Sequence, residues 1–466
     1  MKLPTPKIMS SIRLLLVGVF LLARKSSSQP NSGDQATLLA IKQEWGNPTQ
    51  LVSWDPVADA NHCSWAGVVC GGERTVIGIS LARLNLTGKI PQCVCDLPSL
   101  THLDLSYNNL NGGFPGAQLY ACSHLRFLDL SNNAFHGVLP DDISHLSPAM
   151  EHLNLSTNHF HGAVPAEVAG LLALRLTGEL PRKITAVNLI DLDVSSNQLT
   201  GEMPEDIGSL KNLSLLFLYT NQLTGTIPAS IAMLPNLRDI RLFENNFSGQ
   251  LPSELGKHSE LENLEVSNNN LSGPLPESLC ANGKLYNIVV FDNNFSGELP
   301  KNLSDCFLLN NLMLHNNRFS GNFPAKIWSL RKLTTVMIQN NGFTGVLPAK
   351  LSENILRIEM GNNKFSGSLP TSATGLHVFK AENNLISGEL PADMSKFANL
   401  LDCVLSGNQL TGSIPTSVSL LQKLNYLHLS DNRLSGAIPF DSIVLLPSLS
   451  LLDLSQNEFT GDLCQE

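Results

Sequence analysis

The chain has 466 residues, more than one hydrophobic core ordinarily organises, so several domains or a repeat array are expected. Hydrophobic residues make up 42% and charged residues 15%, a balance that can bury a large core and excludes wholesale disorder. The net charge is −10, and no basic run is longer than a pair such as Arg182-Lys183. These features exclude nucleic acid as an expected partner.

The amino-terminal segment is typical of a secretory signal peptide. Basic residues precede an apolar stretch at 14–23, and small residues follow at 26–28. This stretch is too short for a membrane span of roughly 20 residues, but it suits the apolar part of a signal. We therefore predict a signal peptide at 1–30, which directs the chain to the secretory pathway and to the extracellular space or cell surface. A signal anchor is the alternative.

No second apolar stretch of about 20 residues follows, so membrane attachment is expected only through a carboxyl-terminal segment missing from this sequence. Secretion makes the nine cysteines candidates for disulfides. It also gives meaning to Asn-x-Ser/Thr sequons. The predicted glycosylation sites are Asn85, Asn154, Asn212, Asn246, Asn270, Asn294 and Asn302.

A repeat of about 24 residues runs through most of the chain. One unit, 237–252, reads Leu-x-x-Ile-x-Leu-x-x-Asn-x-Phe-x-Gly-x-Leu-Pro. Positions are numbered from the asparagine, with apolar residues at −8, −5 and −3 and glycine at +4. A unit at 76–91 has Leu84 in place of the asparagine, which gives sixteen repeats. The reference asparagines of repeats 2 to 16 are Asn108, Asn133, Asn158, Asn197, Asn221, Asn245, Asn269, Asn293, Asn317, Asn341, Asn363, Asn384, Asn408, Asn432 and Asn457.

The spacing within a unit predicts its structure. Apolar residues at −5 and −3 point to one side of a short strand, and the chain then turns so that later apolar residues enter the same core. An inward asparagine can satisfy backbone groups at that turn, and stacked asparagines form a ladder. One unit cannot bury its apolar face alone, so neighbours must stack into an α/β repeat solenoid.

The unit resembles the plant-specific leucine-rich repeat. The segment 34–54, with Leu38, Leu39, Trp45 and Trp54, resembles the amino-terminal cap of plant receptor kinases and receptor-like proteins, and Cys63 and Cys70 match the cysteine pair of that cap. The sequences of the repeats and the cap are most similar to those of the HAESA-like group of peptide receptors. The resemblance implies a superhelical horseshoe with a parallel concave β-sheet, a helical cap at 31–75 closed by a Cys63–Cys70 disulfide, and a repeat array at 76–466.

Two further cysteine pairs follow from their offsets. Cys95 and Cys280 lie thirteen residues before the reference asparagine of their repeats, and Cys122 and Cys306 lie eleven before the next one. Stacked units lie about 5 Å apart, within reach of a disulfide. We predict Cys95–Cys122 and Cys280–Cys306 bonds, with four separate buried thiols as the alternative.

The sequence contains no motif for catalysis. Gly-rich phosphate loops, His-Arg-Asp, Asp-Phe-Gly, Gly-x-Ser-x-Gly and His-Glu-x-x-His are all missing. We therefore expect no enzyme activity, no catalytic residue, no metal site and no cofactor. His136 and His161 share an offset in adjacent repeats, so we expect them to be neighbours, with His159 nearby. Solvated loop histidines are favoured over a metal site or a pH sensor. Aspartates recurring at −4, such as Asp193, are expected on a solvated sheet face.

Positions −6, −4 and −2 alternate outward on the concave sheet, and in repeats 6 to 11 they lose their usual Asp, Asn and Ser. Exposed aromatic and thioether side chains on a sheet face are typical of an interaction surface. We predict that an extended peptide lies across repeats 6 to 12, with Arg241 and Arg357 meeting its carboxylates; mutual covering of these side chains, or covering by a glycan, is the alternative. The predicted ligand-binding residues are Phe217, Tyr219, Arg241, Phe243, Glu265, Phe291, Met313, His315, Met337 and Arg357.

The resemblance also indicates a difference. Peptide receptors of the HAESA-like group carry an Arg-x-Arg pair on a concave strand, which clamps the carboxyl terminus of the peptide. The matching positions here hold Asn311 and Met313, and no Arg-x-Arg occurs in the chain.

The array has two defects. Asn158 and Asn197 are 39 residues apart, about eight fewer than two repeats need, and the missing residues are a strand and its asparagine near 174–176. This fault should kink or weaken the stack, and it is either an artefact of the gene model or a functional bend. The sequence also stops inside a repeat, without a carboxyl-terminal cap.

The function implied by the resemblance is an extracellular ectodomain that senses a small peptide in growth or defence, with a leucine-rich-repeat co-receptor kinase as a possible partner. The alternative is a secreted inhibitor of a microbial wall-degrading enzyme, like the polygalacturonase-inhibiting proteins of plants.

Overall fold

The computed structural model describes residues 32–155, 157–162, 175–184 and 188–461. The predicted signal peptide, Leu174 and Cys464 lie outside these residues. Within the described part of the chain, no helix has the length and apolar character needed to cross a membrane.

The amino-terminal cap consists of the helix Ser32–Glu44 and the strand Val68–Cys70, which pairs antiparallel with the first repeat strand. The buried rings of Trp54 and Trp65 stack 6.2 Å apart beneath the helix. The buried Asp34 accepts a hydrogen bond of 2.8 Å from the backbone N–H of Val76. The cap thereby covers the apolar end of the first repeat and satisfies its backbone.

The repeats stack through a parallel concave sheet, with one three- to five-residue strand in each. These strands form two sheets, and the expected parallel arrangement holds in both. The first sheet contains the cap strand with Val76–Ser80, His102–Asp104, Phe127–Asp129 and His152–Asn154. The second contains Asp191–Asp193, Leu215–Phe217, Asp239–Arg241, Asn263–Glu265, Asn287–Val289, Asn311–Met313, Thr335–Met337, Arg357–Glu359, Val378–Lys380, Asp402–Val404, Tyr426–His428 and Leu451–Asp453.

A second set of short parallel strands forms the lateral ladders, and in repeat 6 isolated bridges at Thr224 and Thr226 take the place of a strand. The strands are Thr87–Gly88, Asn109–Gly112, Ala134–Val138, His159–Gly162, Arg175–Glu179, Gln198–Thr200, Ser248–Gly249, Asn270–Gly273, Asn294–Gly297, Arg318–Asn322, Gly342–Val346, Lys364–Gly367, Leu385–Glu389, Gln409–Thr411, Ser435–Gly436 and Glu458–Phe459.

Helical turns occupy much of the remaining chain. The 3-10 turns are Thr49–Leu51, His62–Ser64, Gly72–Arg74, Gln92–Asp96, Asp141–His145, Glu205–Ser209, Ala229–Met233, Lys301–Asp305, Ala325–Ser329, Met394–Phe397 and Thr416–Leu420, and the short α-helices are Gly116–Leu119 and Phe440–Ile443. Most of the 3-10 turns in the repeats follow the proline near +7, whose fixed φ suits the first helical position and whose ring nitrogen carries no proton for a ladder.

The reference asparagines form the predicted ladder. The Nδ2 of Asn293 donates to the carbonyls of Val290 and Phe291 in its own repeat and of Val266 in the preceding one, at 2.9–3.3 Å. Its Oδ1 accepts from the N–H of Leu271 at 2.9 Å. One side chain therefore satisfies four backbone groups at a buried turn, where unpaired groups would destabilise the fold.

The core is continuous from the cap to the last repeats. Phenylalanine at +2 stacks from repeat to repeat, as between Phe295, Phe319 and Phe343, whose ring centroids lie 6.0 and 5.8 Å apart. The residue at −1 takes a left-handed conformation in nearly every repeat, for example Asn316 with φ of 55°. Asparagine, aspartate and glycine suit that conformation.

All three predicted disulfides are present, with Cα atoms 5.6 Å apart in Cys63–Cys70, 4.8 Å in Cys95–Cys122 and 5.4 Å in Cys280–Cys306. Cys403, at the −5 core position of its repeat, is a buried free thiol, and burial raises its pKa to about 12. Cys93 is a half-buried thiol 3.3 Å from the Glu44 carboxylate, and its pKa is raised to about 12, first by desolvation and then by that carboxylate.

The defect predicted near 174–176 has a structural counterpart. Among the described residues, no concave strand lies between His152–Asn154 and Asp191–Asp193, and the sheet divides there. The lateral ladder continues across the fault, because Arg175–Glu179 pairs with His159–Gly162 on one side and Gln198–Thr200 on the other. Across the gap, the described residues His152 and Asp191 approach each other to 3.7 Å.

Asn293→Ala should lower the free energy of unfolding by about 2–3 kcal/mol, because several buried backbone groups lose their partner. Denaturant unfolding of the two proteins measures the change. Asn236→Ala is the matched control, since its exposed Nδ2 makes a single hydrogen bond to Lys211, and a loss of less than about 0.5 kcal/mol is expected there. Equal effects of the two substitutions would contradict the ladder's structural role.

The interrupted sheet should be visible in amide exchange. In regular repeats the N–H groups at −7 and −6, such as Arg238 and Asp239, donate to the preceding strand. The equivalent Ile190 and Asp191 have no such acceptor in the described part of the chain. We expect their amides to exchange at least about tenfold faster than those of Arg238 and Asp239; equal protection by residue-resolved hydrogen-exchange mass spectrometry would contradict the break.

Candidate functional site: a concave ligand-binding surface

The concave sheet presents three columns of side chains, at −6, −4 and −2. In the strand Asp239–Arg241, Ile240 is buried in the core while Asp239 and Arg241 are half-exposed. The parallel register aligns equivalent positions, so that Phe217, Arg241 and Glu265 are neighbours in the −4 column. All ten residues predicted to bind the ligand lie half-exposed on this surface.

An aromatic cluster, formed by Phe217, Tyr219, Phe243 and Arg241, covers repeats 6 and 7. Tyr219 and Phe243 stack with centroids 4.5 Å apart, and the Arg241 guanidinium lies 4.7 Å from the Phe217 centroid. Mutual covering of these side chains was the predicted alternative to ligand binding, and in this cluster the side chains do cover one another in part. Each ring still exposes one face, and the packed arrangement holds the rings rigid for a further apolar contact.

A second group lies in repeats 9 to 11. Phe291 stacks on His315 with centroids 4.4 Å apart, next to the half-exposed Met313 and Met337. Burial is the main cause that lowers the pKa of His315, and it favours the neutral form of the ring. A neutral ring can donate from one nitrogen and accept at the other.

The two arginines expected to meet ligand carboxylates already have acidic partners. Arg241 donates to both carboxylate oxygens of Asp239, at 3.1 and 2.8 Å. Arg357 forms an ion pair with Glu359, whose carboxylate also lies 3.9 Å from the Nζ of Lys380. The structure therefore places these charges on the predicted surface but neutralises them internally.

A chain of amides runs along the −6 column. The Nδ2 of Asn287 donates to Asn263, and that of Asn263 donates to Asp239, at 2.7 and 2.8 Å. Both amides also donate to Glu265, at 3.0 and 3.2 Å. Asn263 and Asn287 are only 1% and 8% exposed. Glu265 is thus held by these amides on the floor of the surface.

A parallel chain borders the −2 column. Asn383, Asn362, Asn340 and Asn316 each donate through Nδ2 to the −1 residue of the preceding repeat, and the chain ends on Asp292. These side chains are mostly exposed. They fix the rim of repeats 9 to 13, the part of the array where the columns depart from Asp and Ser.

Sequence reasoning missed four residues of this surface as site residues. Gln339, Glu359, Lys380 and Glu382 surround Gly361, the −2 position of repeat 12. A Cβ at Gly361 would overlap the Glu382 carboxylate, so the glycine admits that side chain across the sheet. The sequence contained one indication of this group, namely a glycine at position −2, where the other repeats carry a side chain.

The predicted glycosylation sites differ in accessibility. Asn85, Asn212, Asn246 and Asn270 are exposed. Asn294, Asn154 and Asn302 are half-buried, and Asn294 pairs with Ser272 in the lateral ladder. Asn154 donates to Asp129 and Asn302 to the carbonyl of Glu277, so a glycan at either position would have to displace a hydrogen bond.

The interpretation of the early histidines needs one correction. His136 pairs with His159, and His161 pairs with Val138, because the lateral ladder is staggered by two residues. His136 and His161 are therefore not partners, and all three rings are exposed. In the described part of the chain, the one triplet of potential metal ligands is His62, Cys63 and Cys70, and its two sulfurs are bonded to each other.

The aspartates at −4 do not share one environment. Asp453 is held in its charged form by Ser455, and these hydrogen bonds lower its pKa. Asp193, at the sheet break, is more buried, and desolvation raises its pKa to about 6 despite hydrogen bonds from Ser195. The expectation of a solvated face is therefore wrong for Asp193.

Family models match the chain in two regions. Residues 31–71 match the leucine rich repeat N-terminal domain. Five segments match the leucine rich repeat, at 99–117, 124–146, 188–210, 260–282 and 423–442.

The curated relatives are plant proteins. A probably inactive leucine-rich repeat receptor-like protein kinase of Arabidopsis thaliana is 39% identical over 101 residues, which is 21% of this chain and 12% of that protein. Polygalacturonase inhibitor 2 of Phaseolus vulgaris is 37% identical over 109 residues, 22% of this chain and 32% of that protein. The matches thus span less than a third of these relatives' own length.

Solved structures match over more of the chain. The Arabidopsis receptor kinase HAESA, in complex with the peptide hormone IDA and the co-receptor SERK1, has a TM-score of 0.60 and 26% identity over 92% of this chain and 94% of that chain. The ectodomain of GASSHO1/SCHENGEN3 from Arabidopsis thaliana, in complex with CASPARIAN STRIP INTEGRITY FACTOR 2, has a TM-score of 0.63 and 30% identity over 85% and 55%.

The raised pKa of Asp193 should make stability depend on pH. The folded state binds the proton more tightly than the unfolded chain, so stability should fall as pH rises from about 4 to about 6, by at most about 3 kcal/mol. Asp193→Asn should remove this slope in denaturant unfolding at a series of pH values. Asp453→Asn, at the same position of repeat 16, should leave it, and identical profiles for the wild type and Asp193→Asn would contradict the assignment.

Proposed function

We propose, from the premise that the chain is a leucine-rich-repeat protein with the N-terminal domain of that family, that it is a ligand-binding ectodomain of a plant receptor kinase or receptor-like protein. Its ligand is an extracellular peptide bound in extended form across repeats 6 to 12. The observation that carries this proposal is the row of half-exposed aromatic and thioether side chains on the concave sheet. Such side chains are typical of a binding surface.

The dimensions of the surface suit such a ligand. Six steps of about 4.8 Å between stacked strands span roughly 29 Å, which accommodates about nine extended residues. The aromatic cluster lies at one end and the Phe291–His315 pair near the middle. Rigid aromatic anchors of this kind supply much of the affinity in peptide and protein interfaces.

The relatives support the same function. HAESA is a receptor kinase solved with a peptide hormone and a co-receptor, and it aligns with nearly the whole of this chain. We extend to this protein a peptide ligand, a leucine-rich-repeat co-receptor kinase as partner, and a place outside the cell or at the plasma membrane. The chain acts in this proposal by binding, and it needs neither a cofactor nor catalytic residues.

A second candidate function is inhibition of a microbial polygalacturonase. The match to a polygalacturonase inhibitor of Phaseolus vulgaris favours it. The match to that protein covers 22% of this chain, whereas the HAESA ectodomain aligns over 92%. Peptide sensing is therefore the better supported candidate, and an assay of fungal polygalacturonase activity in the presence of the purified chain separates the two.

Alanine at Phe217, Phe243 and Phe291 together should abolish peptide binding without unfolding the protein, because the rings are half-exposed and lie outside the core. The probe is a library of randomised synthetic nonapeptides, from which binders to the full chain are selected. Affinities of the selected peptides should fall at least about 30-fold in the triple variant, as measured by calorimetry.

Phe307→Ala is the matched control, because Phe307 is 67% exposed and lies outside the three columns. Its affinity and thermal midpoint should equal those of the wild type. Unchanged affinity of the triple variant would contradict this placement of the ligand, and inhibition of polygalacturonase without any peptide binding would favour the second candidate.

A further inference from the structure

Buried polar atoms without a hydrogen-bond partner gather on the concave face of repeats 9 to 13. They include Asn287 Oδ1, His315 Nδ1, Gln339 Oε1 and Glu382 Oε2. Buried polar groups are ordinarily satisfied, and leaving one unpaired costs roughly 1–3 kcal/mol. A group of such atoms on a surface already expected to bind a ligand indicates where the ligand supplies hydrogen bonds.

The two amide oxygens and the Glu382 oxygen are acceptors, and neighbouring groups fix the orientation of both amides. The Nδ2 of Asn287 donates to Asn263 and Glu265, so rotation of the amide would place its oxygen against a carboxylate. The Nε2 of Gln339 likewise faces Glu359 at 3.4 Å. The oxygens of both amides must therefore point away from the acidic groups, towards the ligand side. Donation to a carboxylate also polarises an amide and strengthens its oxygen as an acceptor.

The acceptors converge in repeats 11 to 13. Glu359 is 8% exposed, on the floor of the −4 column. Glu382 reaches across Gly361 towards the preceding repeat. Gln339 stands on the other side of the glycine, since Gly361 lies between them in the −2 column. Two carboxylates and a carboxamide oxygen thus border the space above Gly361.

The charges around this space do not favour an anion. Arg357 and Lys380 both face Glu359, and Glu382 adds a second negative charge, so the four groups sum to zero. Near this space, the Nε of Arg357 is a buried donor without a hydrogen-bond partner, and a terminal nitrogen of the same guanidinium is held by Glu359.

We infer that Gln339, Glu359 and Glu382, arranged around Gly361, form a subsite for a cationic side chain of the peptide, a guanidinium or an ammonium group. This inference rests on the proposed function and specifies the chemistry of its ligand. The cation donates to the Gln339 and Glu382 oxygens and pairs with the Glu382 carboxylate. It reverses the expectation that the arginines of this surface select ligand carboxylates. Charge-assisted hydrogen bonds of this kind are stronger than neutral ones.

The test starts from the randomised nonapeptide library and the full chain. Selected peptides should carry Arg or Lys at a fixed position. Replacing that Arg by citrulline, its neutral isostere, should weaken binding to the wild type about tenfold, as expected for one lost charge-assisted hydrogen bond. This arm needs no protein variant and so does not depend on how a variant folds.

Gly361→Ala is the most specific protein variant. The three atoms nearest to a Cβ at this position belong to the Glu382 carboxylate, the end of a flexible side chain, so the variant should fold and displace that carboxylate. It and Glu382→Gln should each weaken the Arg peptide about tenfold and leave the citrulline peptide unaffected. Glu353→Gln, an exposed carboxylate in a turn of repeat 12, is the matched control and should have no effect.

The outcomes separate the two proposals. Peptides that bind without a fixed cation, or an Arg peptide that binds equally well after citrulline replacement or in Gly361→Ala, would overturn the subsite and leave peptide sensing intact. A library that yields no binder would overturn peptide sensing, and the subsite with it.

Discussion

The pairing of one inward asparagine with four backbone groups is the interaction on which the rest of the structure depends. A turn that brings the chain back into its own core buries N–H and C=O groups that have no strand partner. Asn293 satisfies groups of two adjacent repeats with one side chain. The same residue therefore closes its own turn and joins two units, which is why a repeat with little structure of its own becomes part of a rigid array.

Because each asparagine joins only two adjacent repeats, a defect in one repeat need not disrupt the repeats farther along the array. The concave sheet stops at the fault before Asp191–Asp193, yet the lateral strands continue across it. The two ladders of each repeat are thus partly independent, and one can bridge a defect in the other. Asp193 lies at this break, and its burial there distinguishes its environment from that of Asp453 at the same position of repeat 16.

The sequence was sufficient for the fold because its signals are periodic. Offsets from the asparagine predicted the strands, the ladder and the pairing of Cys280 with Cys306, since equal offsets in stacked units mean spatial proximity. They failed for His136 and His161, because the lateral ladder is staggered by two residues and offset alone does not reveal a stagger. The columns of the candidate site could be predicted in the same way, because residues at equal offsets lie side by side in the concave sheet.

The chemistry of the site was not predictable from the columns alone. Whether Arg357 faces a ligand or Glu359 depends on rotamers and on the charges of adjacent strands, which the repeat pattern does not specify. The structure gives that information through the acceptors that remain unpaired. Arg357 and Lys380 are paired with Glu359 inside the protein. The Nε2 of Gln339, by contrast, donates to Glu359 and so orients the carboxamide, whose oxygen has no hydrogen-bond partner. A surface that keeps acceptors unpaired favours a ligand that brings donors of its own.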